Sequence, residues 1–355
     1  MRKWQLSAAR VATFLKSNTL ETRKTINDTL KVIGSLLLGG LILYWMYRDF
    51  DFSQARQVLC GEMNWTWMLL SFPFGILAQM FRGWRWQMSL EPIDEHPRTS
   101  TSIHAVFLSY AVSLVIPRLG EFARCGVLRR YDGVSFPKAL GTVVTERAID
   151  STIVMAITLA TFVCQFGAFD RFFATTGTRL DTVLRDFSAT GYVVTALCGL
   201  AMLLLLWYLL RRLAVYKKVK DTVGGIWQGI ISLRNVKHTP RFVAYSLAIW
   251  ACYFLHYYLT FFCFEGTSRL GLDCAMVSFI VGSIAVIVPT PNGAGPWHFA
   301  VKTMLILYGV AASTALNFVL IVHSIQTLLV VLLGVYAWLA LSFTKPRRQG
   351  TEAAA

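Results

Sequence analysis

Three ionisable residues interrupt an apolar stretch in the first half of the chain. The stretch runs from Ala139 to Phe166 and contains Glu146-Arg147-x-x-Asp150. At 100° per residue, the three side chains fall within a roughly 100° arc of one helix face. Each charge at membrane depth costs about 3 kcal/mol or more unless it is paired or solvated. We therefore expect this face to line a polar cavity, or else to form a buried salt bridge that only packs helices. Because one arginine cannot neutralise two carboxylates, the spare carboxylate needs an arginine from elsewhere or a proton.

A second cluster, Pro117-Arg118-x-Gly120-Glu121-x-x-Arg124, follows a short apolar run. Pro117 is expected to end the entering helix, and Gly120 to permit a tight turn. The returning helix then begins near Glu121, with a partial positive charge at its N-terminus. Together with Arg118 and Arg124, this terminus predicts an anion site. Glu121 is expected to cap the helix or to pair with Arg124, and a purely structural ion pair that steadies the turn remains the alternative.

A third cluster, Arg82-Gly83-Trp84-Arg85-Trp86, closes the second apolar run. Arginine and tryptophan at a helix end are ordinary interface anchors. The functional alternative is a pair of guanidinium groups facing a lipid phosphate, which arginine holds with two parallel hydrogen bonds.

A fourth cluster, Pro289-x-Pro291-x-Gly293-x-Gly295-x-x-His298, follows another short apolar run. Its prolines and glycines predict a sharp turn. His298 then lies in the first turn of the next helix, either as a simple hydrogen-bonding group or as part of a site.

Composition identifies the environment of these clusters. The chain has 355 residues, of which 55% are hydrophobic and 15% are charged, whereas a soluble domain carries roughly 25% charge. Its net charge of +15 does not predict nucleic-acid binding, because the basic residues lie at the ends of apolar runs and act as topology signals. Seven scattered cysteines without C-x-x-C argue against disulfides or a metal site. No catalytic or cofactor motif is present, so we expect neither an enzyme nor a cofactor.

Nine apolar runs organise the chain. They cover residues 32–47, 65–81, 102–116, 139–166, 192–210, 242–264, 274–288, 297–310 and 318–343. If every run spanned the membrane, the basic N-terminal segment and the basic loop 211–241 would lie on opposite sides, against the positive-inside rule. The rule is satisfied if runs 102–116 and 274–288 form re-entrant hairpins from opposite sides, with tips at 117–121 and 289–295.

The sequence therefore predicts an all-α polytopic membrane protein. Six spanning helices and two re-entrant hairpins form an inverted-topology repeat, as in many secondary transporters. Residues 1–30 form a basic amphipathic cytoplasmic segment or a loose tail. The membrane domain covers 31–343, with repeat one at 31–166, an amphipathic cytoplasmic loop at 211–241 and repeat two at 190–343, before a cytoplasmic tail at 344–355. We expect both termini in the cytoplasm, and two irregular tips imply a polar cavity near the midplane.

Together and in this order, the four clusters resemble the transmembrane-region family of lysylphosphatidylglycerol synthases, also called flippase-like integral membrane proteins. The resemblance covers about residues 30–343. It implies a membrane region that moves a phospholipid or lipid-linked headgroup across the bilayer. Some members add a C-terminal aminoacyltransferase domain, which we expect this chain to lack because it stops at Ala355, just after the last apolar run. In the family a Glu often stands where this chain has His298, so a proton-coupling or cation-binding role of that Glu is not carried over.

The favoured function is movement of an anionic phospholipid or a lipid-linked saccharide across a bacterial-type inner membrane. Arg118, Arg124 and the hairpin N-termini would bind the phosphate, while Glu146, Arg147 and Asp150 would line the polar path. The alternative is a non-catalytic membrane partner of a lipid-modifying or glycosyl-transferring enzyme. An enzyme of the phosphatidylglycerol lysyltransferase type ranks last.

Overall fold

The computed structural model of the chain describes residues 37, 40–44, 47, 48, 52–165, 238–288 and 290–347. These residues form helices and connecting turns, with no strand among them. The helices are α1 (Phe52–Gln57, continued by a π-helical segment to Glu62), α2 (Trp65–Leu90), α3 (Thr99–Val115), α4 (Leu119–Asp132), α5 (Phe136–Cys164), α6 (Thr239–Tyr258, continued by a 3-10 segment to Cys263), α7 (Glu265–Ser268), α8 (Leu272–Ala285), α9 (Pro296–Leu307) and α10 (Ala312–Ser342).

Local chemistry sets several of these boundaries. The Asn64 side chain accepts a hydrogen bond from the backbone N–H of Thr66 at 3.1 Å and so caps α2. Gly133, with φ 73°, ends α4 in the left-handed conformation that suits glycine at this position. Pro296 is the first residue of α9, where its missing N–H costs nothing.

Helix α2 is the central element of the described fold. It packs along α6 and also contacts α3 and α5. Its N-terminal end contributes Met68, together with Met63 just before the helix, to an apolar core with the start of α8 and the end of α9. Its C-terminal end contributes Trp86 and Leu90 to a second core with α3 and α4.

Two helical hairpins, α3–α4 and α8–α9, open toward opposite ends of α2. The base of the first lies beside the C-terminal end of α2, and the base of the second lies beside its N-terminal end. The turn Pro291–Gly293 of the second hairpin contacts α3 of the first. The second turn therefore lies against the first hairpin.

The base of the first hairpin also holds the end of the chain. The Arg98 guanidinium pairs with Asp132 at 2.6 Å and donates to the backbone carbonyls of Tyr131 and Lys345. The backbone N–H of Arg347 donates to the Tyr131 carbonyl at 2.7 Å. Both ends of the hairpin and the segment after α10 thus lie together.

Two described helices are long and apolar enough to cross a membrane, Thr239–Cys263 and Ala312–Ser342. The helical prediction for the apolar runs is confirmed wherever the structure describes them, because α2, α3, α5, α6, α8, α9 and α10 coincide with predicted runs. The predicted fifth run, the loop 211–241 and the segment 1–30 lie outside the described residues. The count of six spans and the inverted repeat stay predictions.

Candidate functional site

Helices α2, α4 and α5 bring five charged side chains together in the interior. Arg82 and Arg85 come from α2, Arg124 from α4, and Glu146 and Asp150 from α5, and each is at most 5% exposed. We call these five residues the ion-pair cluster. Arg82 and Arg85 are therefore not interface anchors, because they face other protein groups.

The cluster is a continuous chain of ion pairs. Arg82 Nη1 lies 2.5 Å from Asp150 Oδ2, and Arg85 Nη2 lies 2.8 Å from Asp150 Oδ1. Arg85 Nε lies 3.6 Å from Glu146 Oε1, while Arg124 Nη1 lies 2.9 Å from Glu146 Oε2. Arg124, on the first hairpin, thus supplies the extra arginine that the two carboxylates of α5 require.

Neighbouring side chains fix the arginines in place. The Arg124 guanidinium lies over the Trp86 ring, 4.5 Å from its centroid, in cation–π geometry. The Trp86 Nε1–H in turn donates to Thr142 Oγ1 at 2.9 Å. Arg85 Nη1 donates to Ser246 Oγ of α6 at 3.3 Å. The cluster therefore ties α2, α4, α5 and α6 to one another.

The cluster has an excess of positive charge. Its three guanidinium groups face two carboxylates, which leaves one formal positive charge in a buried setting. Within the described structure, Nε and Nη2 of Arg124 are buried without a hydrogen-bond acceptor, and both carboxylate oxygens of Glu146 are buried without a hydrogen-bond donor. Buried N–H donors of a charged group favour an anion as the missing partner.

Glu121 and Arg147 form a separate, more exposed pair beside the cluster. Glu121 Oε1 lies 2.7 Å from Arg147 Nε, whose side chain is 45% exposed. The expected pairing of Glu121 with Arg124 is wrong, because Arg124 faces inward to Glu146. Arg147 also approaches the cluster, because its Nη1 lies 3.9 Å from Asp150 Oδ2. Glu146 packs directly against its described partners Arg85 and Arg124.

This exposed pair provides a prediction. Glu121→Gln is expected to change the free energy of unfolding by less than about 1 kcal/mol, because solvent screens an exposed pair. Thermal unfolding of the purified protein in detergent, compared with wild type, measures the change. A loss of several kcal/mol would show that the pair is far more isolated from solvent than its exposure indicates.

The first hairpin turn differs from its sequence-based description in one residue. The left-handed backbone conformation falls on Arg118, with φ 67°, and not on Gly120. Gly120 lies in the first turn of α4, where a Cβ would overlap the carbonyl oxygen of Ser109 and the hydroxyl of Ser113 on α3. Glycine is thus required for close helix packing. The Arg118 side chain is exposed and makes no hydrogen bond or ion pair with any described residue.

The second hairpin turn depends on left-handed backbone conformations. Asn292, Gly293 and Gly295 have φ values of 52°, 70° and 91°. The Asn292 side-chain amide donates to Thr327 Oγ1 of α10 at 2.7 Å, which holds the turn against that helix. Pro291 begins the turn, and Pro289 lies outside the described residues.

His298 lies in the first turn of α9 and is 3% exposed. The Gly295 backbone N–H donates to its Nδ1 at 3.4 Å. The ring centroid of His298 lies 4.5 Å from that of His323 on α10. Nε2 of His323 in turn contacts the carbonyl oxygen of Asn292 at 3.1 Å.

An open groove of about 810 Å³ lies beside the second turn, and we call it the tip groove. Its wall includes Leu114 near the first turn, Asn292 and His298 of the second turn, and His323 and Thr327 of α10. The groove lies beside the second turn and near the end of α3, and the predicted polar cavity near the membrane midplane stays a prediction. The groove does not extend along the Glu146 face.

Sequence reasoning missed several members of this interior. Tyr110 and Tyr253 hydrogen-bond through their hydroxyls at 2.8 Å, and Arg82 lies 5.9 Å from the centroid of the Tyr253 ring. Tyrosines inside apolar runs were a visible signal, since a buried hydroxyl needs a partner. His256 packs on Gly75 and contacts the Ser71 carbonyl, away from the tip groove.

Comparison with known protein families gives one match over most of the chain. The family described as the lysylphosphatidylglycerol synthase TM region matches residues 32–334. The chain belongs to this family. Its membership agrees with the resemblance carried by the four motif clusters. Comparison with curated proteins and with solved structures found no match.

Family membership places the ion-pair cluster and both hairpin turns in a membrane protein connected with lipid modification. The matched range covers all five cluster residues as well as Asn292, His298 and His323. Membership in the lysylphosphatidylglycerol synthase TM family also agrees with a membrane phospholipid as the partner.

Proposed function

We propose that the protein moves an anionic phospholipid or lipid-linked headgroup across the inner membrane and catalyses no reaction on it. The excess positive charge of the buried ion-pair cluster carries this proposal. A membrane protein loses stability by keeping charges away from water. The surplus guanidinium group is therefore more readily explained by an anionic partner than by packing alone.

The hairpins support a path through the protein. At 1.5 Å per residue, the 17, 14, 14 and 12 residues of α3, α4, α8 and α9 give helices of about 18–26 Å, shorter than the roughly 30 Å hydrocarbon core. Such helices suit re-entrant segments. Hairpins that open to opposite ends of α2 and contact each other suit six spans in an inverted repeat. The positive-inside rule places both termini in the cytoplasm.

The proposed mechanism assigns the first contact to Arg118. Its exposed guanidinium stands at the N-terminus of α4, where helix polarity also favours a phosphate. Arg124 lies six residues further along the same helix and is held by Glu146. The phosphate replaces the Glu146 carboxylate as the partner of Arg124, while Asp150 and Glu146 together neutralise Arg82 and Arg85. The hydrocarbon chains stay in the lipid.

Translocation in proteoliposomes tests this function. Vesicles containing the full chain and fluorescent phosphatidylglycerol should expose inner-leaflet probe to a membrane-impermeant quencher faster than empty vesicles. Arg118→Ala should slow the movement about tenfold, since a hydrogen bond to a charged group contributes about 1.5–3 kcal/mol. Arg129→Ala, which removes an exposed arginine from the last turn of the same helix, is the matched control and should keep the wild-type rate.

Equal rates in protein-containing and empty vesicles would refute the transport function. If the protein shows no translocation and a lipid-modifying or glycosyl-transferring enzyme co-purifies with it, the role of a non-catalytic membrane partner replaces the transport function. Wild-type rates in Arg118→Ala would instead refute only the assignment of Arg118.

A further inference from the structure

We infer that the tip groove binds the phosphodiester of an anionic glycerophospholipid, with His298 as the principal side-chain donor. This inference rests on the proposed function, because it supplies a headgroup site at the second hairpin in addition to the arginines of the first. It also fixes the substrate class as a glycerophospholipid.

The hydrogen-bonding state of His298 leaves one of its ring nitrogens as a donor. Its Nδ1 accepts from the Gly295 backbone N–H at 3.4 Å. A neutral imidazole that accepts at one nitrogen carries its hydrogen on the other. Nε2 is therefore a donor, and it makes no hydrogen bond with any described residue. This donor lies on a side chain that is 3% exposed and lines the groove, so a ligand in the groove can accept a hydrogen bond from it.

The backbone supplies further donors at the same place. Helix α9 begins at Pro296, and the N–H groups of Trp297 and His298 in its first turn have no intrahelical acceptor. The positive end of the helix dipole favours an anion there. The strained left-handed turn at Asn292 holds this end of the helix beside the groove.

The charges around the groove select an anion. Arg48 lies in its wall, and no carboxylate does so among the described lining residues. His323 cannot serve as an equivalent donor, because its Nε2 already contacts the Asn292 carbonyl. The groove therefore combines one imidazole N–H and a helix N-terminus with a described wall that contains no carboxylate.

The apolar part of the wall selects a lipid over a free phosphate. Leu43, Leu114 and Leu320 line the groove next to its polar side. A hydrated inorganic ion gains nothing from these surfaces, whereas acyl chains are stabilised when their apolar surface is removed from water. A glycerophospholipid matches both parts of the wall.

Equilibrium binding of radiolabelled dioctanoyl-phosphatidylglycerol to the full chain in neutral detergent tests the inference. Unlabelled dioctanoyl-phosphatidylglycerol should displace the probe, whereas dioctanoylglycerol, which has no phosphate, and inorganic phosphate alone should displace it at least tenfold less effectively. His298→Leu should weaken binding about tenfold or more, because it removes one donor to a charged group. His298→Asn, which restores a donor, should recover part of the loss.

Two further variants keep the test decisive if His298→Leu does not fold. Ser324→Phe fills the groove from an exposed position on α10 and should also weaken binding. His104→Leu removes a histidine of α3 that contacts Tyr336 away from the groove and should bind like wild type.

Each outcome decides a separate question. Wild-type affinity in both His298→Leu and Ser324→Phe, or equal displacement by dioctanoylglycerol, overturns the headgroup site. Displacement by inorganic phosphate at the same concentration as the lipid overturns the choice of a lipid. If the protein translocates lipid but does not bind it in the groove, this inference is wrong and the proposed function stands. If it binds lipid in the groove but does not translocate it, the proposed function is wrong and the binding site stands.

Discussion

Glu146→Gln is expected to lower the free energy of unfolding by about 3–5 kcal/mol, because it removes one carboxylate from a buried ion-pair network and leaves its arginines uncompensated. Arg124 would lose its 2.9 Å partner, and Arg85 would keep only Asp150. Three guanidinium groups would then face a single carboxylate at almost zero exposure. Thermal unfolding in detergent, followed by tryptophan fluorescence, measures the loss.

A double replacement distinguishes the contribution of the ion pair to stability from the cost of leaving one of its charges unpaired. Arg124→Met combined with Glu146→Leu removes both charges and should recover most of the lost stability, since apolar residues of similar size often replace a buried pair without cost. The exposed pair offers the matched comparison, because Glu121→Gln should leave stability nearly unchanged. Equal effects of Glu146→Gln and Glu121→Gln would contradict the buried, paired cluster described above.

The double variant also separates stability from transport. If the cluster serves only to pack helices, a stable Arg124→Met/Glu146→Leu protein should translocate lipid at the wild-type rate. If Arg124 exchanges its carboxylate for a phosphate, the same stable protein should lose translocation. Measuring both properties on one preparation distinguishes the two roles.

Gly120→Ala is expected to destabilise the protein by about 3 kcal/mol, at the upper end of the usual cost of overpacking. The added Cβ would overlap the backbone carbonyl of Ser109, which cannot move aside as a flexible side chain would. Ser113 also donates to that carbonyl at 2.9 Å, so its hydroxyl is held in the same place. The first hairpin would have to open, and thermal unfolding records the result.

Gly126 provides the control in the same helix. Its added Cβ would meet nothing within 4 Å, so Gly126→Ala should stabilise α4 by about 0.5–1 kcal/mol through helix propensity. A similar loss of stability in both variants would assign the effect to helix α4 in general and contradict the close contact at Gly120.

The sequence predicted where helices lie better than which residues touch. Apolar runs and their proline and glycine boundaries depend on local chemistry, so the predicted run 102–116 and the observed α3, Thr99–Val115, nearly coincide. The all-helical class and the family are confirmed. Pairing depends on how each helix is rotated about its axis and which neighbour it meets. That is why the partner of Glu121 was predicted wrongly.

Gly120 and the Arg82–Arg85 pair show the same limit. Glycine after proline favours a turn locally, but the close approach of α3 decides its role at Gly120. Arginines at the end of an apolar run commonly reach the membrane surface, and only the presence of Asp150 and Glu146 on α5 turns them inward. The contacts of the two arginines with α5 join residues more than 60 positions apart in the chain, and the spacing of residues in the sequence does not predict such contacts.

The attachment of residues 345–347 to the base of the first hairpin has a mechanical consequence. Hydrogen bonds of the Arg98 side chain and of the Tyr131 carbonyl attach the segment after α10 to both α3 and α4. Displacement of either helix would therefore also move residues 345–347, so this segment responds to movement of the first hairpin. A fluorophore attached just past Arg347 would then report movement of the first hairpin.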